Sequence, residues 1–399
     1  MKHIVIFSKI WSDKVNLNNI LKEKQPIVHF PKELNENYFL GSIYGYFHAQ
    51  SNECNVITYG SNLKKELQYL GEITDNEDRK GFDSKLFGLR KENHIDFYIS
   101  NIKCQNKPYQ LKLDNFSRNL GILETNEMLD KAVIISGLGS VGSLVALELA
   151  RSGVGNFLLI DNDTITYQNI CRHQCGIKDV GKYKVSAISE RILDINPCAN
   201  IINYTDILEN IPESVFKDII QPDSIIVGCA DNRESDQYAN KISVHFNIPF
   251  VSIGFWERAF AGEIFYSIPA KTPCYSCVFD SLENISHRIS KNRRFYTNEE
   301  DLSNVNFEPG ISVDINFITT ISIKLILDLL NIKSKKYTIR LLNYLSQFTL
   351  ICNNDNPAVG KEKSEIFSHP LQITRSIRVD FNESCSICNL LRGEYDNSN

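Results

Sequence analysis

The sequence predicts an α/β chain: a Rossmann-like, doubly wound and mostly parallel sheet with a glycine-rich loop, a smaller N-terminal α+β domain, and a four-cysteine metal site. Three observations lead there. Between about residues 116 and 280, apolar runs of strand length alternate with amphipathic runs of helical length, as expected of strands crossed over by helices on both faces. The first strand and helix are joined by "SGLGSVG", whose glycines fall in G-x-G-x-x-G spacing. Four of the eleven cysteines make two Cys-x-x-Cys pairs, one near the middle of the chain and one near its end.

The elements follow in order. Residues 1–115 mix short strand-like runs ("HIVIF", "CNVITYG", "HIDFYISNI") with charged helical stretches and contain no repeat. They are read as a separate N-terminal domain, with 116–399 as the second. There "KAVIIS" is a strand and "SVGSLVALELARSG" a helix; "NFLLID", "ANIINYT", "SIIVGCA" and "PFVSIGF" are further strands, separated by "KYKVSAISERILDIN" and "SDQYANKISVHFN" as helices. A long helix is predicted over about 311–332. It is interrupted by Lys324 and Asp328, and is too short and too charged to span a bilayer.

Composition excludes several classes. The chain has 399 residues, 42% hydrophobic and 23% charged, enough to bury a full core rather than remain disordered. A net charge of −5 gives no basic field for nucleic acid. The opening "MKHIVIFSKIWSDK" lacks the apolar core and cleavage site of a secretion signal. A soluble cytoplasmic protein that binds neither membrane nor nucleic acid is the expectation.

In a reducing compartment the spacing of cysteines matters more than their number. Cys274 and Cys277 stand in "TPCYSCVF", Cys385 and Cys388 in "ESCSICNL". Two such knuckles supply the four thiolates of a closed, tetrahedral Zn²⁺ site. The alternatives are two unrelated pairs or a redox dithiol. A shared zinc would tie the end of the chain to its middle and leave no position for a catalytic water.

Gly137, Gly139 and Gly142 sit between a predicted strand and helix, the setting of a phosphate cradle at a helix N-terminus. Asp161, ending the next strand, suits the acid that holds a ribose. To this point NAD and ATP are equal candidates. In "DNDTITYQNICRH", however, Asp163 follows closely and Asn169 and Arg172 lie three residues apart on a helical interval; "DVGKYKVSA" adds Lys184, with Lys182 as competitor. A nicotinamide enzyme has no use for an Arg and a Lys at the phosphate end. An enzyme that splits ATP between the α and β phosphates does, because charge grows on the α-phosphoryl oxygens and on departing pyrophosphate.

With "DNDTI", the N-x-x-R of Asn169 and Arg172, "DVGKYK", "GCADN" and "PCYSC" all present, roughly residues 116–335 resemble the ThiF, MoeB and HesA adenylyltransferases, the superfamily of the ubiquitin-activating enzymes. The resemblance implies Asp161 on the ribose, Asp163, Asn169, Arg172 and Lys184 around the phosphates, and Asp231 on Mg²⁺ or beside the α-phosphate. It also implies that Arg118, in "NFSRNL", reaches into the nucleotide site of a partner, and so a homodimer. Two departures stand out: His173 follows Arg172 where the family usually has Gln, and Asp236, with Arg233 nearby, replaces an arginine after the "DN" pair. His173 is expected to be a polar wall of the pocket.

A thioester relay in this family uses a cysteine after the first zinc knuckle, and residues 278–310 contain none. Cys171, Cys175 and Cys229 are read as small hydrophobes. The run "HRISKNRR" is either a basic lid or a solvated loop. The reaction implied is ATP-dependent adenylation of a C-terminal carboxylate. The substrate is a short peptide, as for the microcin-type peptide adenylyltransferase MccB, or a small ubiquitin-like or sulfur-carrier protein, as for MoeB. The long N-terminal extension, a candidate for peptide recognition, favours the peptide. Readings of another class are a non-catalytic nucleotide-binding subunit and an NAD-dependent oxidoreductase.

Overall fold

The computed structural model describes residues 25–36, 38–48, 51–59, 67–76, 86–99, 101–279, 310–354 and 373–389. The "HIVIF" run and the "HRISKNRR" stretch lie outside the described residues. The chain divides into two compact units, Met1–Asn115 and Phe116–Asn399.

The first unit contains β1 (Ile27–Pro31), α1 (Glu33–Glu36), β2 (Gly41–His48), β3 (Glu53–Tyr59), β4 (Gln68–Thr74), β5 (Leu86–Arg90), β6 (Ile95–Ile99), β7 (Ile102–Lys103), β8 (Gln105–Tyr109) and α2 (Leu111–Asp114). The strands form one mixed sheet in the order β7-β6-β5-β4-β2-β3-β1-β8. It curls until its ends approach: the Cys104 amide donates to the Phe97 carbonyl at 2.8 Å and Asn106 Nδ2 to the Ile95 carbonyl at 2.5 Å. Strand alternation sends Val28, Phe30, Cys54 and Val56 into the core. The residues between them, His29 and Asn55, line an open groove with Tyr46, His48 and Tyr109.

The second unit begins with α3 (Thr125–Asp130), β9 (Ala132–Ser136), α4 (Ser140–Arg151) and β10 (Asn156–Ile160). It continues with α5 (Lys184–Ile195), β11 (Asn200–Tyr204), α6 (Glu213–Ile219), β12 (Ser224–Gly228), α7 (Arg233–Phe246) and β13 (Phe250–Phe255). β14 (Ala261–Ser267), α8 (Tyr275–Phe279), α9 (Ser312–Leu330), β15 (Phe348–Cys352) and β16 (Ile373–Ile377) complete it. The sheet order is β11-β10-β9-β12-β13-β14-β15-β16. β9 to β13 pair in parallel, and β14 to β16 extend the sheet antiparallel. β14 was not among the strands read from sequence, whereas β15 and β16 fall in the short strand set expected between the long helix and the second cysteine pair.

Both faces of the parallel strands are buried, so these segments read as continuous apolar runs. In β9, Val133 and Ile135 join one core and Ala132 and Ile134 the other; Phe157 and Leu159 alternate with Leu158 and Ile160 in β10 in the same way. α4, rich in Leu and Ala, packs on β9, and α9 lies beside it on the same face against β12, β13 and β14. Gly153 at φ 93° ends α4, and amides of Ser152, Gly153 and Val154 turn back onto carbonyls of its last turn. Among the described residues no helix is long and apolar enough to cross a membrane.

Candidate active site

The strand order reverses beside β9: the chain goes from β9 to β10 on one side, and β12 later adds on the other. Such a switch point leaves a crevice at the carboxyl ends of the strands. A cavity of about 570 Å³ lies there, lined at the ends of β9, β10, β12 and β13 by Gly137, Asp161, Asp231 and Phe255.

The three glycines do three different things. Gly137 has φ +89°, and a Cβ on it would meet the Ala230 amide nitrogen at 2.8 Å, so only glycine fits the turn. Gly139 lines the cavity and caps α4 without a side chain; a Cβ there would meet nothing within 4 Å. It leaves a bare helix start, whose first amides have no intrahelical acceptor, facing space sized for a ligand. Gly142 does not line the cavity. Its Cβ would stand 1.9 Å from the Gly137 carbonyl oxygen, so its contribution is to let α4 sit directly on the turn. Gly142→Ala is expected to lower stability by about 1–3 kcal/mol through backbone displacement, read as a shifted denaturation midpoint.

Asp161 is gripped from the same turn. Its Oδ2 accepts the Leu138 amide at 2.6 Å and its Oδ1 the Asp163 amide at 2.9 Å. Carboxylate oxygens have further lone pairs, so ribose hydroxyls remain acceptable partners. Residues 163–184 fold back on themselves: Ile165 and Gly181 pair through Lys182, and the Lys184 amide donates to the Asp163 carbonyl at 3.0 Å. The Lys184 ammonium therefore lies 2.6 Å from Asp163 Oδ2 and 3.4 Å from Asp161 Oδ1. Lys184, Asp163, Asn169 and Arg172 all line the cavity. Lys182 turns away to Glu190 at 2.5 Å and Asp179 at 3.4 Å. Asn169 is fixed by a capping box, its Oδ1 accepting from the Thr166 amide at 2.9 Å.

Asp231 is held beyond β12 by its neighbour, because Asn232 caps α7 by accepting the Ser235 amide at 2.7 Å. Arg233 does not reach the cavity. Its guanidinium is buried against Glu263 at 3.0 Å and the Tyr275 hydroxyl at 3.0 Å, with the Phe279 ring beneath it. Glu263 also accepts the Trp256 indole N–H at 3.1 Å, and Trp256 lines the cavity. Asp236 is fully buried and accepts the Ser252 hydroxyl at 2.7 Å. Arg118 is exposed and does not line the cavity of its own chain.

His173 corrects an expectation. It is not a wall of the cavity but lies beneath it, 7% exposed, with Nε2 2.7 Å from the Leu138 carbonyl. Burial pushes its pKa down from 6.5, and the Lys184 and Arg191 charges add to this. Of the three cysteines near the nucleotide, Cys229 is half-buried and lines the cavity. Cys175 is buried, which raises its thiol pKa; Cys171, expected to be a small buried hydrophobe, is instead exposed, and it lies outside the lining.

Sequence reasoning missed Asp206 to Glu209, Trp256, Ala259, Gly310 and Ile315 in the lining. Arg258 and Ala259 hold positive φ, 57° and 50°, without being glycine. No glycine signal marks this turn, which is secured by Asn353 Nδ2 donating to the Ala259 carbonyl at 2.8 Å.

The four paired cysteines converge although Cys274 and Cys385 are 111 residues apart. Sulfur separations of 3.9, 3.6 and 3.5 Å join Cys274 to Cys277, Cys274 to Cys385 and Cys277 to Cys388. A tetrahedron with Zn–S bonds of about 2.3 Å has edges of about 3.8 Å, and all four sulfurs lie within 4.8 Å of one another. All four residues are buried, and hydrogen bonds from Cys274 and Cys388 pull the Cys277 thiol down. The cluster fits a closed structural zinc site.

A parallel sheet with a glycine turn at its switch point and a cavity lined by opposed charges defines a Rossmann-like nucleotide-site architecture. Residues 110–360 match the ThiF family, and the chain belongs to that family. The ubiquitin-like modifier-activating enzyme 5 of Dictyostelium discoideum is 30% identical over 171 residues, covering 40% of this chain and 45% of the relative. That of Drosophila ananassae is 28% identical over 221 residues, covering 52% and 55%. The chain thus spans about half the length of the curated relatives it matches. Among solved structures, E. coli MccB with ATP aligns with a TM-score of 0.49 and 22% identity over 70% of this chain and 76% of that one.

Proposed function

We propose that the chain is a ThiF-type adenylyltransferase that transfers AMP from ATP to the C-terminal carboxylate of a peptide or small ubiquitin-like protein. One observation carries this reading: Arg172, Lys184 and Asp231 line one cavity with the glycine turn, an arrangement suited to α-phosphoryl transfer and not to hydride transfer. The base and ribose would lie toward Asp161 and the segment Asp206–Glu209, and the phosphates along the start of α4 toward Arg172 and Lys184.

A substrate carboxylate oxygen attacks the α-phosphorus, the bond from that phosphorus to the bridging oxygen breaks, and pyrophosphate leaves with the electron pair. No protein nucleophile is required. Arg172 and Lys184 hold the triphosphate in line and stabilise charge as it spreads in the transition state. Among the described residues the lining carries five carboxylates (Asp161, Asp163, Asp206, Glu209 and Asp231) against these two cations. That balance calls for further positive charge. Asp231 would hold Mg²⁺, which when bound neutralises phosphate oxygens, and Arg118 would come from a second copy in a homodimer. Zn²⁺ in the cysteine cluster is structural.

Two substrates are supported. The extra N-terminal unit, with its groove between His29, Tyr46, His48, Asn55 and Tyr109, favours a peptide. The names of the curated relatives favour a ubiquitin-like modifier. Exchange of labelled pyrophosphate into ATP, driven by peptides ending in Asn and by proteins ending in Gly-Gly, distinguishes them. Arg172→Ala and Asp231→Ala are each expected to reduce the exchange about 10²-fold or more. Undiminished exchange in both variants, or binding of NADH in place of ATP, rejects the proposal.

A further inference from the structure

We propose that His173 is a positioning residue for the phosphates of ATP: in its neutral form it clamps the glycine turn in the conformation that receives them. The inference rests on the ATP-binding reading above and adds to it a residue that touches neither nucleotide nor acyl substrate.

Geometry fixes the tautomer. The Cys175 backbone nitrogen lies 3.1 Å from His173 Nδ1, and a backbone amide can only donate, so Nδ1 holds a lone pair. The ring proton is then on Nε2, which donates to the Leu138 carbonyl at 2.7 Å. Leu138 is the middle residue of Gly137-Leu138-Gly139, and its own amide donates to Asp161 at 2.6 Å. The turn is thus held from both sides. Fixing the Leu138 carbonyl also fixes the Gly139 N–H, because the two belong to one planar trans peptide and point in opposite directions. Gly139 lines the cavity. Without the histidine, the Leu138 carbonyl loses this partner, and Gly139, next in the chain, places few steric limits on a tilt of their shared peptide. The ring projects from the end of the turn that carries Arg172, a turn closed by the backbone, where the Arg172 and His173 amides both donate to the Asn169 carbonyl at 3.0 and 2.8 Å.

Protonation of Nδ1 would set its new N–H against that of Cys175 and open the clamp. The charged groups facing the ring are Lys184 and Arg191 on α5, which oppose protonation, and Asp161 after β10, which favours it. Thiols Cys171 and Cys175 and the Arg172 guanidinium share its own segment. Burial lowers the folded pKa below 6.5. The clamp is therefore complete above that pH and is lost as pH falls through the folded value.

Isothermal titration of the full chain with MgATP tests this in wild type, His173→Ala and His173→Gln, with thermal unfolding of each recorded in parallel. Ala is expected to weaken MgATP binding about tenfold, the loss of one buried hydrogen bond. Gln, whose amide can donate to Leu138 and accept from Cys175, is expected to restore affinity to within about threefold. As pH is lowered from about 7.5 through 6.5 and on through the folded value below it, wild type should lose more affinity than the Gln variant; titration of the nucleotide itself is common to both. Unchanged affinity in a folded Ala variant, or parallel pH profiles for wild type and Gln, overturns the proposal. If Ala does not fold, the Gln comparison decides. A wild type that fails to bind MgATP rejects instead the reading on which this rests.

Discussion

Lys184→Ala is expected to lower ATP–pyrophosphate exchange by about 10²–10³-fold, the scale of removing one charged group from a preorganised transition-state site. The argument is electrostatic. The Lys184 side chain is 10% exposed and lies between Asp161 and Asp163, whose side chains are 8% and 66% exposed. Removing it deletes one of the two cations that the described residues bring to the cavity lining, and it also leaves two carboxylates without their shared counter-charge where the proposed triphosphate would sit. Lost attraction and new repulsion act in the same direction. Because charge on the α-phosphoryl group and pyrophosphate is greatest in the transition state, kcat should fall more than the KM for ATP rises. Lys184→Arg keeps the charge but not its compact shape, and should recover only part of the rate. A rise in KM alone, with kcat intact, would assign Lys184 to ground-state binding.

The second large effect concerns the metal. Purified chain is expected to contain one zinc, and Cys385→Ser, or exhaustive chelation, should lower stability by about 5 kcal/mol. That figure is the entropy of closing a loop of about a hundred residues in a chain-entropy treatment of cross-links. Cys274 and Cys385 close a loop of that size. Elemental analysis and calorimetry with and without chelator give the measurement. Local consequences should follow the contacts of the knuckle: Tyr275, between Cys274 and Cys277, receives a hydrogen bond from Arg233, which is paired with Glu263, which in turn holds the Trp256 indole at the cavity. A chain without zinc whose unfolding is insensitive to chelator would make the cysteine cluster a reduced thiol cluster only.

The sequence makes some parts of this architecture legible and hides others for physical reasons. The β9–α4 turn is readable because glycine spacing, a buried strand and a leucine-rich helix all constrain the same few residues, and each constraint leaves its own mark. The cysteine pairs are readable because a metal needs donor atoms of one kind, whatever the chain between them does. The strand β14 is harder to foresee than the short strand set after the long helix. β14 is buried at every position, so it has no alternation, and the turn leading to it places Arg258 and Ala259, not glycine, at positive φ. His173 is misjudged for a related reason. Its neighbour Arg172 lines the cavity, and a polar residue beside it reads as more of the same, whereas the ring turns inward to satisfy a buried carbonyl. Asp206 to Glu209 enter the lining from the loop after β11, where no periodicity or motif singles them out. Lys184 rather than Lys182 lines the cavity because the folded-back segment 163–184 sets its direction, a matter of register that two lysines in "GKYK" leave open.

The non-catalytic and oxidoreductase readings differ from the adenylation reading at a few atoms. A nicotinamide dinucleotide would use the glycine turn and Asp161 yet make no use of Arg172, Lys184 and Asp231 at the far side of the cavity. A crystal structure of the chain with MgATP is the most direct test. The account predicts a triphosphate running from the start of α4 past Lys184 and Arg172, with its α-phosphorus on the Asp231 side of the cavity and open to a carboxylate. A nucleotide seated elsewhere, or bound with its α-phosphate walled off from Asp231, would contradict it.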